Sequence, residues 1–280
     1  MNSAGNYFLG LPAWAFPGWT GEYFPAGGSA LAHYARVFNT VEGNTTFYRV
    51  PDAGSVARWQ DAVDGTGFRF SFKLPRTVTH ERRPAWDDLA QFLSVLEPLG
   101  EHLGPFLVQC PATLGPDDLA VLDTLFDKLP DAYRYVLEVR HPTFFAEPAL
   151  LEPLLQRSRA GRVMFDSRPI YQEDTQHPEV LAARHKKPDV PLLDTVYNGL
   201  VYARVVLHPE AQYNGPYVEE WLRRCESYLA SGHTVYFMMH CPNNQHCPEF
   251  AADFHQRLQQ SVPTLAPLPH WPVPRQAGLF

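Results

Sequence analysis

The amino-acid sequence predicts an α/β protein, a TIM-barrel-like (β/α)8 single domain. Eight short β-prone runs alternate with helical segments, and this strand-plus-helix unit recurs about every 30 residues. The chain has 280 residues and a mass of 31.7 kDa, which is enough to bury the core of one such domain. An open doubly wound sheet is the alternative, but no glycine fingerprint opens a helix after the first strand. The sequence therefore favours the barrel.

The predicted strands are short apolar runs, and several of them stop just before a proline. Residues 68–73 (FRFSFK) alternate between apolar and polar side chains, which is typical of a strand. The full set of predicted strands is residues 7–11, 40–41, 68–73, 106–109, 135–139, 162–165, 200–207 and 234–238.

The predicted helices have apolar residues at helical spacing, and acidic residues stand where some of them begin. Asp52 and Asp87 are expected to cap two of these helices. The predicted helices are residues 31–37, 52–63, 87–100, 117–129, 149–160, 217–231 and 248–259, with a helical turn near residues 180–185.

The domain prediction places the barrel in residues 1–262. Residues 167–198 are the one long irregular stretch and are expected to be an insertion in that barrel. Residues 263–280 are rich in proline and are expected to form an extended tail.

Composition narrows the class of protein. The net charge is −7 and the pI is near 5.9, so no global charge attracts the chain to nucleic acid or to an anionic membrane. No apolar run approaches the roughly 18 residues that span a bilayer. The N-terminal residues lack the pattern of a signal peptide. The four cysteines are too scattered for a disulfide framework, so we expect a cytoplasmic protein with reduced thiols and no membrane partner.

Polar residues follow the apolar part of nearly every predicted strand. In a (β/α)8 barrel the loops after the strands share one site, so these residues are expected to meet. The candidate catalytic residues are Glu42, Lys73, Glu138, His141 and Asp166. The candidate substrate-binding residues are Asn44, Tyr48, His80, Gln109, Arg140, Arg204, His208, Asn243 and Asn244. The alternative interpretation is a set of ion pairs that tie the strand ends together.

Several of these segments together resemble one known family. The segments are FNTVEGNTTFYRVP, FSFKLPRTVTHE, GPFLVQCP, LEVRHPTFF, an aspartate that ends the sixth strand, and YARVVLHP. In this order they resemble the YecE-like family, the domain of unknown function numbered seventy-two, from about residue 7 to residue 259. The resemblance implies a TIM-barrel-like fold. Its signature positions fall on Glu42, Asn44, Phe47, Tyr48, Lys73, His80, Gln109, Glu138, Arg140, His141, Asp166 and Arg204.

Lysine, arginine and histidine facing three carboxylates suit an anionic or phosphorylated small molecule. Arg140 and Arg204 would hold the anion, and Lys73 would stabilise developing charge. Glu42 or Glu138, together with His141, would move protons. The sequence therefore predicts a hydrolase for a phosphorylated or nucleotide-like substrate.

The same carboxylates raise the question of a divalent metal. Glu42, Glu138 and Asp166, with His141 near by, are residue types that bind such ions. The neighbouring Lys73, together with the two arginines, would repel a cation, so the sequence predicts no cofactor and leaves a divalent metal as the alternative. A zinc site at His240-Cys241 and His246-Cys247 is disfavoured, because ligands so close in sequence give poor tetrahedral geometry.

The last five residues, QAGLF, offer a second class of function. They resemble the peptide that docks on the bacterial DNA sliding clamp, although alanine replaces the usual leucine. Leu279 and Phe280 would fill an apolar cleft, and Gln276 would hydrogen-bond at its edge. The alternative to the hydrolase is therefore a non-catalytic binding module that associates with nucleic acid or with the clamp.

Overall fold

A computed structural model describes residues 6–81, 83–171 and 175–271 of the chain. Each of the runs predicted to be a strand overlaps an observed strand. The strands are β1 (Tyr7–Gly10), β2 (Thr40–Gly43), β3 (Arg69–Phe72), β4 (Phe106–Gln109), β5 (Tyr135–Glu138), β6 (Gly161–Asp166), β7 (Leu200–Val206) and β8 (Thr234–His240). Neighbouring strands pair in parallel, so their carboxyl ends lie on one side of the sheets.

Helices connect these strands. The α-helices are α1 (Ala30–Ala35), α2 (Ala53–Val63), α3 (Arg76–Thr79), α4 (Trp86–Leu96), α5 (Leu119–Lys128), α6 (Thr143–Ala146), α7 (Glu152–Arg157), α8 (Pro178–Arg184), α9 (Gly215–Ala230) and α10 (Cys247–Ser261). Short 3₁₀ helices occupy Pro17–Trp19, Thr45–Phe47, Glu97–His102, Pro116–Asp118, Pro148–Leu151, Arg168–Ile170 and Ala211–Tyr213.

The two predicted helix caps have different outcomes. Asp52 caps α2 as expected, because its side chain accepts a hydrogen bond from the Ser55 amide at 2.8 Å. The prediction for Asp87 was wrong. Helix α4 starts one residue earlier, with Ala85 as the N-cap, and Asp87 lies in its first turn. An acidic residue there still interacts favourably with the positive end of the helix dipole.

The strands do not close into an eight-stranded barrel, and this part of the prediction was wrong. Six of them form one parallel sheet in the order β1-β8-β7-β6-β5-β4, and β2 and β3 form a separate two-stranded sheet. The fold is α/β, with two sheets in place of one closed ladder. The ladder is interrupted on both sides of the β2–β3 pair.

Side chains interrupt the ladder between β1 and β2. The Asn39 side chain accepts a hydrogen bond from the Leu9 amide at 2.8 Å. The Tyr34 hydroxyl accepts from the Leu11 amide and donates to the Thr40 carbonyl, both at 2.8 Å. Because side chains satisfy these backbone groups, the two strands lie side by side without a continuous ladder.

A proline contributes to the interruption between β3 and β4. Pro105 precedes β4 and has no N–H to donate. Its carbonyl accepts a hydrogen bond from the Ser71 hydroxyl at 2.6 Å. An isolated bridge between Lys73 and Leu107 is formed beyond the end of β3. The pairing is therefore partial, although the strands remain neighbours.

Successive side chains along each strand point to opposite faces of the sheet, and this alternation produces two separate apolar layers. One layer packs against the helices and includes Trp221 of α9 and Phe254 of α10. The other lies on the opposite face of the six-stranded sheet and includes Val136, Tyr202 and Met238. The Tyr202 hydroxyl lies 2.8 Å from the Ser71 hydroxyl on β3, so the two-stranded sheet faces the same interior. This interior leads to the carboxyl ends of the strands.

No helix in the described ranges is long and apolar enough to cross a membrane. The predicted boundaries of the domain, of the insertion at residues 167–198 and of the tail remain predictions. Within the described part of the insertion the chain forms α8 and the 3₁₀ helix Arg168–Ile170.

Candidate functional site

A pocket of about 520 Å³ lies at the carboxyl ends of the strands. We call it the strand-end pocket. Its lining brings together eight of the predicted site residues with residues from the loops after β1, β3, β8 and α8. The lining residues are Pro12, Asn44, Phe47, Tyr48, Lys73, Arg76, His80, Gln109, Arg140, Lys186, Lys187, Arg204, His240, Cys241, Pro242 and Asn244.

Three side chains form the floor of the pocket: Glu42, Glu138 and Arg204. Arg204 of β7 binds both acids. Its Nε and Nη2 donate to the two carboxylate oxygens of Glu42, at 2.7 and 2.8 Å. Its Nη1 donates to Oε2 of Glu138. All three side chains are almost completely buried. This paired geometry lets charges remain in the interior, because each is hydrogen-bonded to an opposite charge.

These contacts set the ionisation of the two acids. Burial raises the pKa of Glu138, but Arg204 and then Arg140 outweigh burial and hold it at about 2. Burial likewise opposes ionisation of Glu42, and the charge of Arg204 is the largest effect that brings its pKa well below the ordinary value. Both acids are therefore charged near neutral pH, and their oxygens are already bound to Arg204 and, for Glu138 Oε1, to Arg140. They are poorly placed to act as general bases.

Two further side chains extend this network towards the pocket. Asn44 Nδ2 donates to Glu42 Oε1 at 2.8 Å, and Arg140 Nε donates to Glu138 Oε1 at 2.8 Å. Arg140 is partly exposed, and its guanidinium borders the open volume. The arginine can therefore contact a ligand while it remains anchored to Glu138.

His240, the last residue of β8, reaches the same floor. Its Nε2 lies 3.6 Å from Glu42 Oε2 and has no hydrogen-bond partner in the described part of the chain. The side chain is 3% exposed. Burial lowers the pKa of His240 to about 4. The pocket therefore contains a neutral, buried imidazole with an unused ring nitrogen.

Lys73 is a buried cation in the strand-end pocket whose nearest partners are uncharged. It is 7% exposed, and its Nζ donates to Gln109 Oε1 at 2.8 Å and lies 3.6 Å from the centre of the Phe47 ring. Among the described residues no carboxylate forms an ion pair with it. Burial, and then the charge of Arg204, lower the pKa of Lys73 to about 7. Both its charged and its neutral form are accessible near neutral pH.

More positive charge surrounds the mouth of the pocket. Arg76 begins α3, and Lys186 and Lys187 follow α8. Burial lowers the pKa of Lys187 to about 8 and that of His80 to about 4, so His80 is neutral near pH 7. Tyr48 is 82% exposed at the same rim. The mouth therefore combines several cations with an exposed aromatic ring.

The structure places Asp166 outside the strand-end pocket. Its carboxylate accepts hydrogen bonds from Trp221 Nε1 at 2.7 Å and from the Arg168 guanidinium at 2.8 and 2.9 Å. Alternation along β6 explains the direction of the side chain. Phe165 belongs to the interior layer, so the next residue faces the helices. Asp166 is a structural acid between β6 and α9.

Three other predicted site residues belong neither to the pocket lining nor to the floor formed by Glu42, Glu138 and Arg204. His141 Nδ1 accepts from the Thr143 amide at 3.3 Å, at the start of α6. The backbone amide of His208 donates to the Asn214 side chain at 2.8 Å. Asn243 Nδ2 donates to Glu179 Oε1 at 2.6 Å and so ties the loop after β8 to α8. The predicted partner-binding residues Gln276, Leu279 and Phe280 lie outside the described residues.

Asp166→Ala is expected to lower the free energy of unfolding by about 1.5–3 kcal/mol, because hydrogen bonds to a charged group are lost inside the protein. Ligand binding in the strand-end pocket should be unchanged. Urea unfolding followed by tryptophan fluorescence measures the first quantity and a calorimetric titration the second. A variant that folds stably but no longer binds ligand would place Asp166 in the site after all.

Some pocket residues were not among the predicted site residues: Arg76, Lys186, Lys187, His240 and Cys241. His240 and Cys241 follow the apolar part of the eighth predicted strand, which is the same signal that located the other candidates. The pair Lys186-Lys187 lies in the irregular stretch, where no strand end indicated a site. Within residues 6–81, 83–171 and 175–271, no cluster of three or more His, Cys, Asp or Glu side chains could hold a metal ion.

Comparison with known proteins identifies the family. The family model described as "Protein of unknown function DUF72" matches residues 8–275. The chain belongs to the DUF72 family. The resemblance found in the sequence motifs is thereby confirmed.

Members of the DUF72 family cover the chain almost completely. The proteins called "UPF0759 protein YecE" of Escherichia coli K12 and O157:H7 are each 34% identical over 283 aligned positions, and the alignment covers 98% of this chain and 99% of the relative. A crystal structure of a DUF72 family protein of Enterococcus faecalis V583 has a TM-score of 0.65 at 20% identity and covers 97% of this chain and 100% of its own. One from Thermotoga maritima MSB8 has a TM-score of 0.64 at 20% identity, with 91% and 99% covered. These structures support the fold alone.

Proposed function

We propose that this DUF72 protein is a phosphoester hydrolase that binds a phosphorylated or nucleotide-like small molecule in the strand-end pocket. The observation that carries the proposal is the position of Lys73. It is a buried cation without a carboxylate partner among the described residues, next to two acids whose oxygens are bound by Arg204 and Arg140. The open volume therefore has an excess of positive charge, and an anion would balance it.

The arrangement of donors favours phosphate over a single carboxylate. Lys73 approaches from β3, Arg140 from the loop after β5, and Lys187 from the segment after α8. Donors from separate directions suit a group with several oxygens, whereas one arginine fork suits a carboxylate. Tyr48 adds an exposed ring at the rim, on which a nucleobase can stack. The combination supports a nucleotide-like ligand.

The neutral imidazole of His240 and the lysine supply the proton transfers. A water molecule attacks phosphorus, and its proton moves to His240 Nε2, where the Glu42 carboxylate stabilises the imidazolium. The bond from phosphorus to the leaving oxygen breaks, and that oxygen takes a proton from Lys73 Nζ. The products are phosphate and an alcohol. Glu42, Glu138 and Arg204 position these groups, and Arg140 holds the phosphate oxygens.

The alternative class of function remains a binding module that uses the QAGLF peptide. A module that works only through its tail would not need cations in the strand-end pocket. Deletion of residues 276–280 therefore separates the two. If the protein is a hydrolase, the deletion should leave ligand binding in the strand-end pocket unchanged. If it is a tail-dependent module, the deletion should abolish its association with the sliding clamp.

Calorimetric titration with a nucleoside monophosphate and with sulfate tests the pocket. Arg140→Ala is expected to weaken both affinities about ten- to a hundred-fold, because a hydrogen bond from a charged donor contributes about 1.5–3 kcal/mol. Arg157→Ala is the matched control, since this arginine is 51% exposed, pairs with Asp123 and does not line the pocket. Equal affinities in the wild type and in both variants would refute the proposed anion site.

A further inference from the structure

Two cysteines lie in contact at one wall of the strand-end pocket. Cys241 follows β8 and lines the pocket, and Cys247 is the first residue of α10. Their sulfur atoms are 3.3 Å apart, and Cys247 donates its thiol hydrogen towards Cys241. A disulfide needs a separation of about 2.05 Å, so a small movement of the two side chains would join them.

The start of α10 makes the two sulfurs unequal. The hydrogen bond from Cys247 lowers the pKa of Cys241, and the backbone amides of His246, Asn244 and Cys247 add to this effect. Helix α10 has 15 residues, and the positive end of its dipole favours a thiolate at this place. Burial raises the pKa of Cys247 well above its ordinary value. Of the two sulfurs, Cys241 therefore has the greater tendency to ionise.

The other two cysteines lack this environment. Cys110 and Cys225 are buried free thiols, and neither has a second cysteine in contact. Burial raises the pKa of Cys110 to about 12 and also raises that of Cys225. Buried thiols of this kind are inert towards oxidants. They provide internal controls within the same chain.

We propose that Cys241 and Cys247 form a redox-active dithiol that a small hydroperoxide, entering through the strand-end pocket, oxidises to a disulfide. Cys241 is only 2% exposed, but it forms part of the pocket wall, so the pocket is the route by which a small oxidant would approach this residue. Cys247 does not line the pocket and reacts second. The inference does not depend on the proposed hydrolase.

The reaction has two steps. The Cys241 thiolate attacks the terminal oxygen of the hydroperoxide ROOH, an S–O bond forms, the O–O bond breaks, and the leaving RO⁻ takes a proton to give ROH. The Cys247 sulfur then attacks the Cys241 sulfur, and the S–O bond breaks. The departing hydroxide takes the Cys247 proton to give water. The dithiol loses two electrons and the hydroperoxide gains them. An added dithiol reductant restores both thiols.

The proposal can be tested by treating the folded protein with hydrogen peroxide and then alkylating it with N-ethylmaleimide in denaturant. The intact mass of the product gives the number of alkylated thiols. The wild type is expected to fall from four alkylated thiols to two, and dithiothreitol should restore all four. Cys247→Ser should instead accumulate a sulfenic acid that dimedone traps. Cys241→Ser should keep its three thiols, and the control Cys225→Ser should lose two of its three.

Two outcomes would overturn the proposal. One is a wild type that keeps four alkylated thiols at peroxide concentrations that oxidise a free-cysteine peptide. The other is loss of Cys110 or Cys225 at the same rate as Cys241 and Cys247, which would show general oxidation of an unfolding chain. Near-ultraviolet circular dichroism of each variant checks that its fold is retained.

Discussion

Replacement of Arg204 by methionine is expected to lower the free energy of unfolding by about 3–5 kcal/mol. The variant leaves Glu42 and Glu138 buried without the guanidinium that binds three of their four oxygens. Methionine fills much of the same volume, so the loss reports charge and hydrogen bonding more than packing. Urea unfolding at neutral pH, followed by circular dichroism, measures the effect.

The direction of the pH dependence follows from the lowered pKa values of the two acids. Their contribution to stability is fully present above their unfolded value of about 4.5 and is lost as the pH falls towards the folded value of Glu138, about 2. Arg204→Met should therefore differ most from the wild type near neutral pH and least in strong acid. Arg157→Met, on the exposed surface, should leave the free energy of unfolding nearly unchanged, because solvent screens its ion pair with Asp123. If Arg204→Met lowers the free energy of unfolding as little as Arg157→Met does at neutral pH, the proposed stabilising role of Arg204 between Glu42 and Glu138 is contradicted.

Lys73→Met is expected to weaken sulfate binding about ten- to a hundred-fold at about pH 6, because a charged donor is lost. In the wild type the pKa of Lys73 is about 7, so protonation should strengthen binding as the pH falls through that value. Sulfate is a suitable probe because its own charge does not change in this range. The variant should lose the change in sulfate affinity near pH 7. It should keep the change in affinity near pH 8, because the pKa of Lys187 is about 8.

Lys128→Met is the matched control for that experiment, since this lysine lies on the exposed end of α5, away from the pocket. Its sulfate affinity and pH profile should equal those of the wild type. Calorimetric titrations at a series of pH values measure both quantities. If the change in sulfate affinity near pH 7 persists in Lys73→Met, the titrating group is another residue, and the proposed role of Lys73 in anion binding is contradicted.

The strands and much of the pocket could be predicted from local sequence signals. Apolar runs that end in polar residues located the strands and brought Glu42, Lys73, Glu138 and Arg204 to one place. Closure of the sheet could not be predicted in this way. It depends on whether side chains such as Asn39 satisfy the backbone of a neighbouring strand, and such contacts join residues about 30 positions apart.

The direction of each side chain explains the other errors. Asp166 lies at the end of its strand, as several pocket residues do. Successive side chains of β6 point to opposite faces of the sheet, and that of Asp166 points towards Trp221. A count of positions from Phe165 would have shown this once the interior face was known. Lys186 and Lys187 enter the pocket from an irregular segment, and periodicity carries no information about where such a segment folds back.

The most direct test of the central proposal is a phosphate-release screen with purified protein and a panel of nucleotides and small phosphate monoesters and diesters. We predict release of phosphate, or of a phosphomonoester from a diester, for at least one nucleotide-like substrate. The rate should fall about a hundred-fold or more in His240→Ala, because general acid–base catalysis contributes about 10²–10⁴-fold. It should stay unchanged without residues 276–280. Binding of the same compounds without turnover would contradict the hydrolase and leave an anion-binding protein.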